Sequence, residues 1–411
     1  MQKLISLLEK HNNWRKNCIN LIASENVMSP LAEKAYFSDL MHRYAEGLPF
    51  KRYYQGLSYF DEIEELVTQA YKAHFKANFG DLRPISGTLA NMATFAALAQ
   101  KGDKIITLGI EGGSHVSHEP PGAAGLLGLK VYHFDIDKEK LNIDLEKARK
   151  QILKIEPKLI ILGGSVILFP QPIKEIKEIC KKTGTKIIYD AAHVFGLIVA
   201  GLFQKPLKEG ADIITSSTHK TFPGPQGGLI LGNIEKELQK KIQRKVFPGV
   251  LSNHHLHRIP ALYITLMEME KFGKDYASQI IKNAKTLAKE LFDAGFNVFG
   301  EKLGFTKSHQ VLVEVSSLGG GDFVAKLCER ANIILNKNVL FTQKIDIKNP
   351  NGIRIGVQEM TRFGMKEKEM KEIARFMKRL ILNQESPEKI KKEVVELRRS
   401  FQTVKYCLPR S

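Results

Sequence analysis

From about residue 84 to residue 232, apolar runs of strand length alternate with segments whose apolar positions recur at helical spacing. The strand-like runs are Lys104–Leu108, Lys130–Phe134, Lys158–Leu162, Lys186–Tyr189, Ile213–Ser216 and Gly228–Leu231, with helical patterns at Leu89–Gln100, Asp144–Ile155 and Ile173–Thr183. Strands that alternate with helices join as parallel neighbours whose crossovers cover the sheet, so an α/β fold with a mainly parallel central sheet is expected. Before it lies a helical pattern over 59–78, with Ile63, Leu66, Val67 and Ala70 on one face. After it comes a long helical stretch, Arg258–Ala294, then a strand (Gln310–Val315), a helix (Gly321–Ala331), the apolar run Ile333–Leu335, and two helices near Glu367–Leu382 and Pro387–Arg399. With 411 residues the chain is too long for one ordinary core. The division expected is an N-terminal arm over 1–40, a large domain over 41–270 and a smaller C-terminal α/β domain over 271–411.

Cys18, Cys180, Cys328 and Cys407 lie far apart and form no CxxC pair. A disulfide framework and a zinc site are therefore disfavoured, no metal ligand is assigned, and a reducing cytoplasm is expected. Lys3 and Glu9 break the first apolar run, unlike a signal peptide, and no stretch approaches the roughly 20 apolar residues of a membrane span. The formal charge is +18, which raises nucleic-acid binding as a possibility. The lysines, however, are spread over many helical segments and interspersed with Glu, as on solvated faces. The bland reading, a lysine-rich surface, is preferred.

Chemistry concentrates in four places. Asp212–Gly228 is an apolar strand, a polar run ending in His219 and Lys220, and a glycine-rich turn. A strand-end lysine kept neutral by its surroundings can form an imine with an aldehyde, although alone it reads equally as a solvated turn lysine. Thirty residues earlier, Asp190 ends another strand. A buried acid there can keep a pyridine nitrogen protonated, and ligands of open α/β sheets bind at the carboxyl ends of strands; the bland alternative is a helix cap. Ser86-Gly87-Thr88 opens a helix and offers hydroxyls and free N–H groups to a phosphate. His115, on the glycine-rich loop Glu111–His118, can lie flat over a cofactor ring. The order of phosphate loop, stacking loop, strand-end acid and strand-end lysine gives the set its specificity.

Seven stretches carry a family resemblance over nearly the whole chain: Leu21–Asn26, Tyr44–Gly47, Lys51–Tyr54, Ser86–Asn91, Asp190–His193, Ser217–Thr221 and Gly352–Gly356. The chain resembles serine hydroxymethyltransferases, and its Ser252–His257 segment resembles their archaeal branch. The resemblance implies a fold-type I pyridoxal-phosphate transferase, a cytoplasmic homodimer with shared active sites. Such an enzyme moves the hydroxymethyl carbon of serine to a reduced pterin and leaves glycine. It implies Lys220 as Schiff-base lysine, Asp190 on the pyridine nitrogen, His193 at the ring hydroxyl and His115 stacked on the ring. Ser86, Gly87 and Thr88 would hold the phosphate, with Ser165 and Ser217 beside the cofactor and Tyr44 reaching in from the partner subunit. Ser24 and Arg354 would bind the substrate carboxylate, and Tyr53 would line the site. Glu46, Tyr54 and His219 are the remaining catalytic candidates. Glu46 would be the proton-transfer carboxyl, its affinity for a proton raised by burial.

Four departures from the family pattern stand out. One extra residue precedes His115, and Gln226 replaces an arginine. The usual glycine-rich partner loop reads Pro248–His255, and Val357-Gln358-Glu359 follows the Arg354 strand. They leave the carrier open between tetrahydrofolate and tetrahydromethanopterin. Two other readings remain: a pterin-independent aldolase acting on threonine or another β-hydroxy amino acid, and an RNA-binding protein without catalysis.

Overall fold

Seven strands build the large sheet of the computed structural model, which describes residues 1–341 and 348–409. In chain order they are β1 (Phe79–Asp81), β2 (Lys104–Thr107), β3 (Lys130–His133), β4 (Leu159–Gly163), β5 (Lys186–Asp190), β6 (Ile213–Ser217) and β7 (Gly228–Gly232). Their spatial order is β1-β7-β6-β5-β4-β2-β3. The pairings from β6 to β3 are all parallel, as the alternation with helices requires. The last two pairings, β6 with β7 and β7 with β1, are antiparallel. The connection from β6 to β7 holds no crossover helix, only the glycine-rich turn, so the chain must come straight back. Strand β1 is three residues long with Gly80 at its centre and carries no periodic signal in the sequence.

The register aligns Asp190 with Gly163 of β4 and with Thr215 of β6, so three strand ends open on one edge. A helix, α1 (Gly87–Leu98), lies on this sheet. It buries Ala90, Ala93, Phe95 and Ala97 in a cluster with Ile105, Leu159, Ile161, Ile188, Ile213 and Ile230. Each such aliphatic side chain contributes about 1.5–3 kcal/mol by leaving water. At the start of the helix Gly87 faces β6: a Cβ there would lie 3.4 Å from the Ser217 backbone nitrogen.

The chain divides into two compact units. One spans Asn26–Lys274 and takes back the chain from Cys407; it contains the seven-stranded sheet. The other joins Met1–Glu25 to Asp275–Tyr406. The second unit contains an antiparallel sheet of β8 (Asn297–Val298), β9 (Gln310–Glu314), β10 (Asn336–Asn338) and β11 (Gly352–Gly356), in the order β8-β9-β11-β10. Within this unit Ile19–Asn20 pairs in parallel with Ile333–Ile334. The 36-residue helix Arg258–Asp293 contributes residues to both units. Among the described residues no helix is long and apolar enough to cross a membrane.

Candidate active site

Asp190 ends β5 with 3% of its surface exposed. One carboxylate oxygen, Oδ2, meets His118 Nε2 at 2.9 Å and accepts from Asn91 Nδ2 at 2.9 Å. The other, Oδ1, accepts from the Ala192 backbone N–H at 3.0 Å. Burial pushes this carboxyl up, but the hydrogen bond and charge of His118, the charge of His115 and the Asn91 amide outweigh it and hold it well below the usual carboxylate range. An ionised Asp190 is an acceptor only, so His118 Nε2 carries a proton and donates to it. Asn91, 1% exposed on α1, also donates to Ser117 Oγ and accepts from Thr215 Oγ1. The strand-end acid is thus locked to two strands, one helix and one loop.

That loop contains the extra residue. Ser114 is 4% exposed, and its hydroxyl lies 3.1 Å from His118 Nδ1. One ring nitrogen of His118 is thus committed to Asp190 and the other to this hydroxyl. The insertion is therefore absorbed as a third member of the Asp190–His118 line. Gly113 must be glycine here: its φ is +93°, and a Cβ would meet the Val166 carbonyl at 2.3 Å. Its own carbonyl accepts from Ser165 N–H at 2.8 Å and Val166 N–H at 3.0 Å. Half-buried His115 accepts at Nδ1 from the Ser117 N–H at 3.1 Å, and its ring centroid lies 6.1 Å from that of His118.

Ser86 caps α1, its hydroxyl accepting from Leu89 N–H at 3.1 Å; Gly87 is half-buried and Thr88 exposed. The facing Ser217 Oγ is buried and has no hydrogen-bond partner. The glycine turn packs on this cap: a Cβ on Gly228 would meet the Ser86 carbonyl at 2.3 Å. Fully buried Arg258 ties the region together, donating to Pro84 O at 3.1 Å and Gly228 O at 3.2 Å. Burial drives its guanidinium down to about 10. Lys220 and His219 follow β6, both half-buried. Burial first, and then the positive charges of Lys220 and Arg258, push His219 down to about 4, so it is neutral at neutral pH; its Nδ1 is buried without a partner. His193 is 2% exposed, and its carbonyl accepts from Thr221 Oγ1 at 2.8 Å, tying the Asp190 turn to the Lys220 turn.

A second group forms around residues 43–54. Tyr44 OH lies 2.9 Å from Ser252 Oγ, and Ala45 N–H donates to Asn253 Oδ1 at 2.8 Å. The altered 248–255 loop thus anchors the Tyr44 segment within the chain. The Tyr54 ring lies 5.1 Å from Tyr44 and 5.5 Å from Tyr53, and Glu46 is half-buried. Desolvation, then the neighbouring Glu46, raises the Tyr54 phenol. Arg52 holds the hairpin beneath them: it donates to Asp61 Oδ1 and to Gly47 O, each at 2.8 Å, and pairs with buried Glu64. Burial pushes Glu64 up, but His254 and Arg52 bring it down to about 2.

In the other unit, Arg354 lies on β11 with 8% exposure and donates through Nε to Asn336 Oδ1 at 3.3 Å. Burial lowers its guanidinium to about 10. Half-buried Ser24 lies on the segment whose Leu21 carbonyl accepts from Gly356 N–H at 2.8 Å.

A serine hydroxymethyltransferase family model matches residues 1–377. The chain belongs to the serine hydroxymethyltransferase family. It is 52% identical to a serine hydroxymethyltransferase of Sulfolobus acidocaldarius over 99% of this chain and 94% of that one. It is 53% identical to one of Pyrococcus abyssi over 98% and 96%. Among solved structures it is similar to the L-threonine transaldolase of Pseudomonas fluorescens in its internal aldimine state. The TM-score is 0.92 at 31% identity, covering 99% of this chain and 93% of that one. The fold is that of a fold-type I pyridoxal-phosphate enzyme, and the chain is a pyridoxal-phosphate-dependent hydroxymethyltransferase by class.

The residues fit that cofactor. Ser217 Oγ, buried and unpartnered beside the free N–H groups of α1, suits a phosphate oxygen. Asp190, held ionised, suits a pyridinium nitrogen. Sequence reasoning singled out neither His118 nor Asn91, which set the charge of Asp190, nor Arg258. The serine and second histidine after His115, at i+2 and i+3, were the available signal for His118.

Proposed function

We propose that this chain transfers the hydroxymethyl carbon of serine to a reduced pterin and leaves glycine. The Asp190–His118–Asn91 lock carries the reading, because it keeps a carboxylate ionised at the strand edge from which the Lys220 turn departs. Bound pyridoxal phosphate supplies an electron sink conjugated to the substrate Cα. Lys220 would hold it covalently. Ser86, Gly87, Thr88 and Ser217 would bind its phosphate, while Asp190, His193, His115 and Ser165 would surround its ring.

Arg354 would receive the substrate carboxylate on its planar fork, with Ser24 adding a hydroxyl and Tyr53 lining the site. Neutral His219 can accept or pass a proton beside Lys220. Glu46 and Tyr54 would hold and move the proton of the serine hydroxyl and of Cα. The working form we propose is a cytoplasmic homodimer in which Tyr44 completes the partner's site. Phe37 (70% exposed), Phe50 (66%), Tyr53 (78%) and Tyr59 (82%) cluster in one stretch of chain, as an interface requires. Cys18, Cys180 and Cys328, buried thiols without a disulfide, suit a reducing compartment.

The test is an absorbance spectrum with glycine and then tetrahydrofolate or tetrahydromethanopterin added. A cofactor band lost in Lys220→Ala, with serine cleavage that depends on one of the two pterins, is expected, and that pterin names the carrier. The similarity to a threonine transaldolase favours one second reading, aldol chemistry on β-hydroxy amino acids without a pterin. Cleavage indifferent to both pterins would establish it.

A further inference from the structure

Two side chains immediately after β11 hold the turn that carries Ser24. Residues Ile22–Glu25 form a turn closed by Glu25 N–H on Ile22 O at 3.2 Å. The amide of Gln358, with none of its surface exposed, donates to both carbonyls of that turn, to Ile22 O at 2.8 Å and Glu25 O at 2.7 Å. One buried side chain therefore grips both ends of the Ser24 turn. The next residue, Glu359, accepts at Oε1 from Asn20 Nδ2 at 2.8 Å, and Asn20 Oδ1 accepts from Arg15 Nε at 2.9 Å. Close approach completes the grip: a Cβ on Gly356 would meet Ala23 Cα at 2.3 Å, and His309 Nε2 lies 3.1 Å from Ala23 O. Arg354 lies two residues before Gly356 on the same strand.

We propose that Gln358 and Glu359 are positioning residues that clamp the Asn20–Glu25 segment to the end of β11, so that Ser24 and Arg354 are held as a pair for one carboxylate. The assignment rests on the serine reading given above. The two residues touch no reacting atom; they act through the turn. Glu359 also makes the clamp responsive to pH. The charged groups facing it are Arg15 of the N-terminal helix, Glu25 of the turn and Arg398 of the helix Pro387–Arg399. The neighbouring Cys18 thiol is pushed up to about 11 by burial. Burial raises Glu359 to about 7, Arg15 and Arg398 oppose the rise, and Glu25 adds to it. A carboxyl whose proton affinity is raised by the closed clamp must, by linkage, loosen that clamp when it ionises.

Trp14, the one tryptophan of the chain, reports on this segment. It precedes Arg15 and donates from Nε1 to Asn332 Oδ1 at 3.0 Å. In the holoenzyme its emission should titrate with a midpoint near pH 7 and lose that transition in the isosteric Glu359→Gln. A transition that persists unchanged in Glu359→Gln overturns the proposal. Between about pH 6 and about pH 8.5 the wild-type KM for serine should rise about five-fold, at the lower end of site-to-site coupling, and stay flat in Glu359→Gln. Gln358→Met should raise KM about ten-fold with kcat changed less than about two-fold. An unchanged KM refutes the clamp. If Gln358→Met does not fold, Glu359→Gln decides alone. If serine is no substrate at all, the serine reading fails, but the Trp14 titration, which needs no substrate, still tests the pH-dependent part.

Discussion

Asp190 and Glu359 are buried almost equally, with 3% and 5% of their surfaces exposed, yet they depart from the ordinary carboxylate value in opposite directions. Asp190 accepts from a histidine whose second nitrogen is itself held by Ser114, and from an amide aimed by Thr215. Glu359 has one direct amide donor and shares its surroundings with a second carboxylate, Glu25. Burial penalises charge at both sites, and the outcome turns on whether an ionisable donor reaches the oxygen directly. The large unit thus keeps a permanent anion where a cofactor cation is expected. The small unit keeps a carboxyl poised to change charge near neutral pH.

The largest effect is expected at Asp190. Asp190→Asn removes the anion while keeping an oxygen for His118, and kcat should fall by on the order of 10³-fold or more. Steady-state kinetics with a measured cofactor load check this. His118→Asn should make Asp190 behave like Glu359, since burial then acts with less opposition. Its folded value rises, so the stability it supplies, present above the unfolded value of 3.8 and lost as pH falls through the depressed folded one, shrinks. Urea denaturation at pH 7 should show a loss of about 3 kcal/mol, and the acid limb of kcat/KM should move to higher pH.

Glu359→Gln sharpens the contrast from the other side. A folded value raised from 4.5 to about 7 means stability fully present below 4.5 and lost as pH rises through 7. The variant should match wild type near pH 4.5 and exceed it by about 2–3 kcal/mol at about pH 9, read from urea midpoints. The smallest effect belongs to Ser114→Ala, which leaves His118 Nδ1 without its hydroxyl. A loss of about 1 kcal/mol is expected, with a slight upward shift of the acid limb.

Much of the large unit was readable in advance. The runs beginning at Lys104, Lys130, Lys186, Ile213 and Gly228 became strands, and the helix Pro387–Arg399 has its expected ends. Strand β1 was not readable because three residues around a glycine carry no period. Asp190 and Lys220 stood out because each follows a clear apolar run. His118 and Asn91 did not, since their meaning lies in contacts 72 and 99 residues distant along the chain. In the sequence Gln358 and Glu359 register only as departures from the family pattern. Their partners, Asn20, Ile22 and Glu25, lie more than 300 residues away in sequence.

By itself the sequence determined a mainly parallel sheet with a lysine and an acid at its strand ends, because local periodicity and strand-to-helix alternation are properties of neighbouring residues. Through motifs held in order it also determined the family. Only the tertiary structure decided which buried carboxyl is charged, where the extra Ser114 goes, and what grips the Ser24 turn. Those outcomes depend on desolvation and on donors within about 3 Å, and the folded chain draws such donors from positions far apart in sequence.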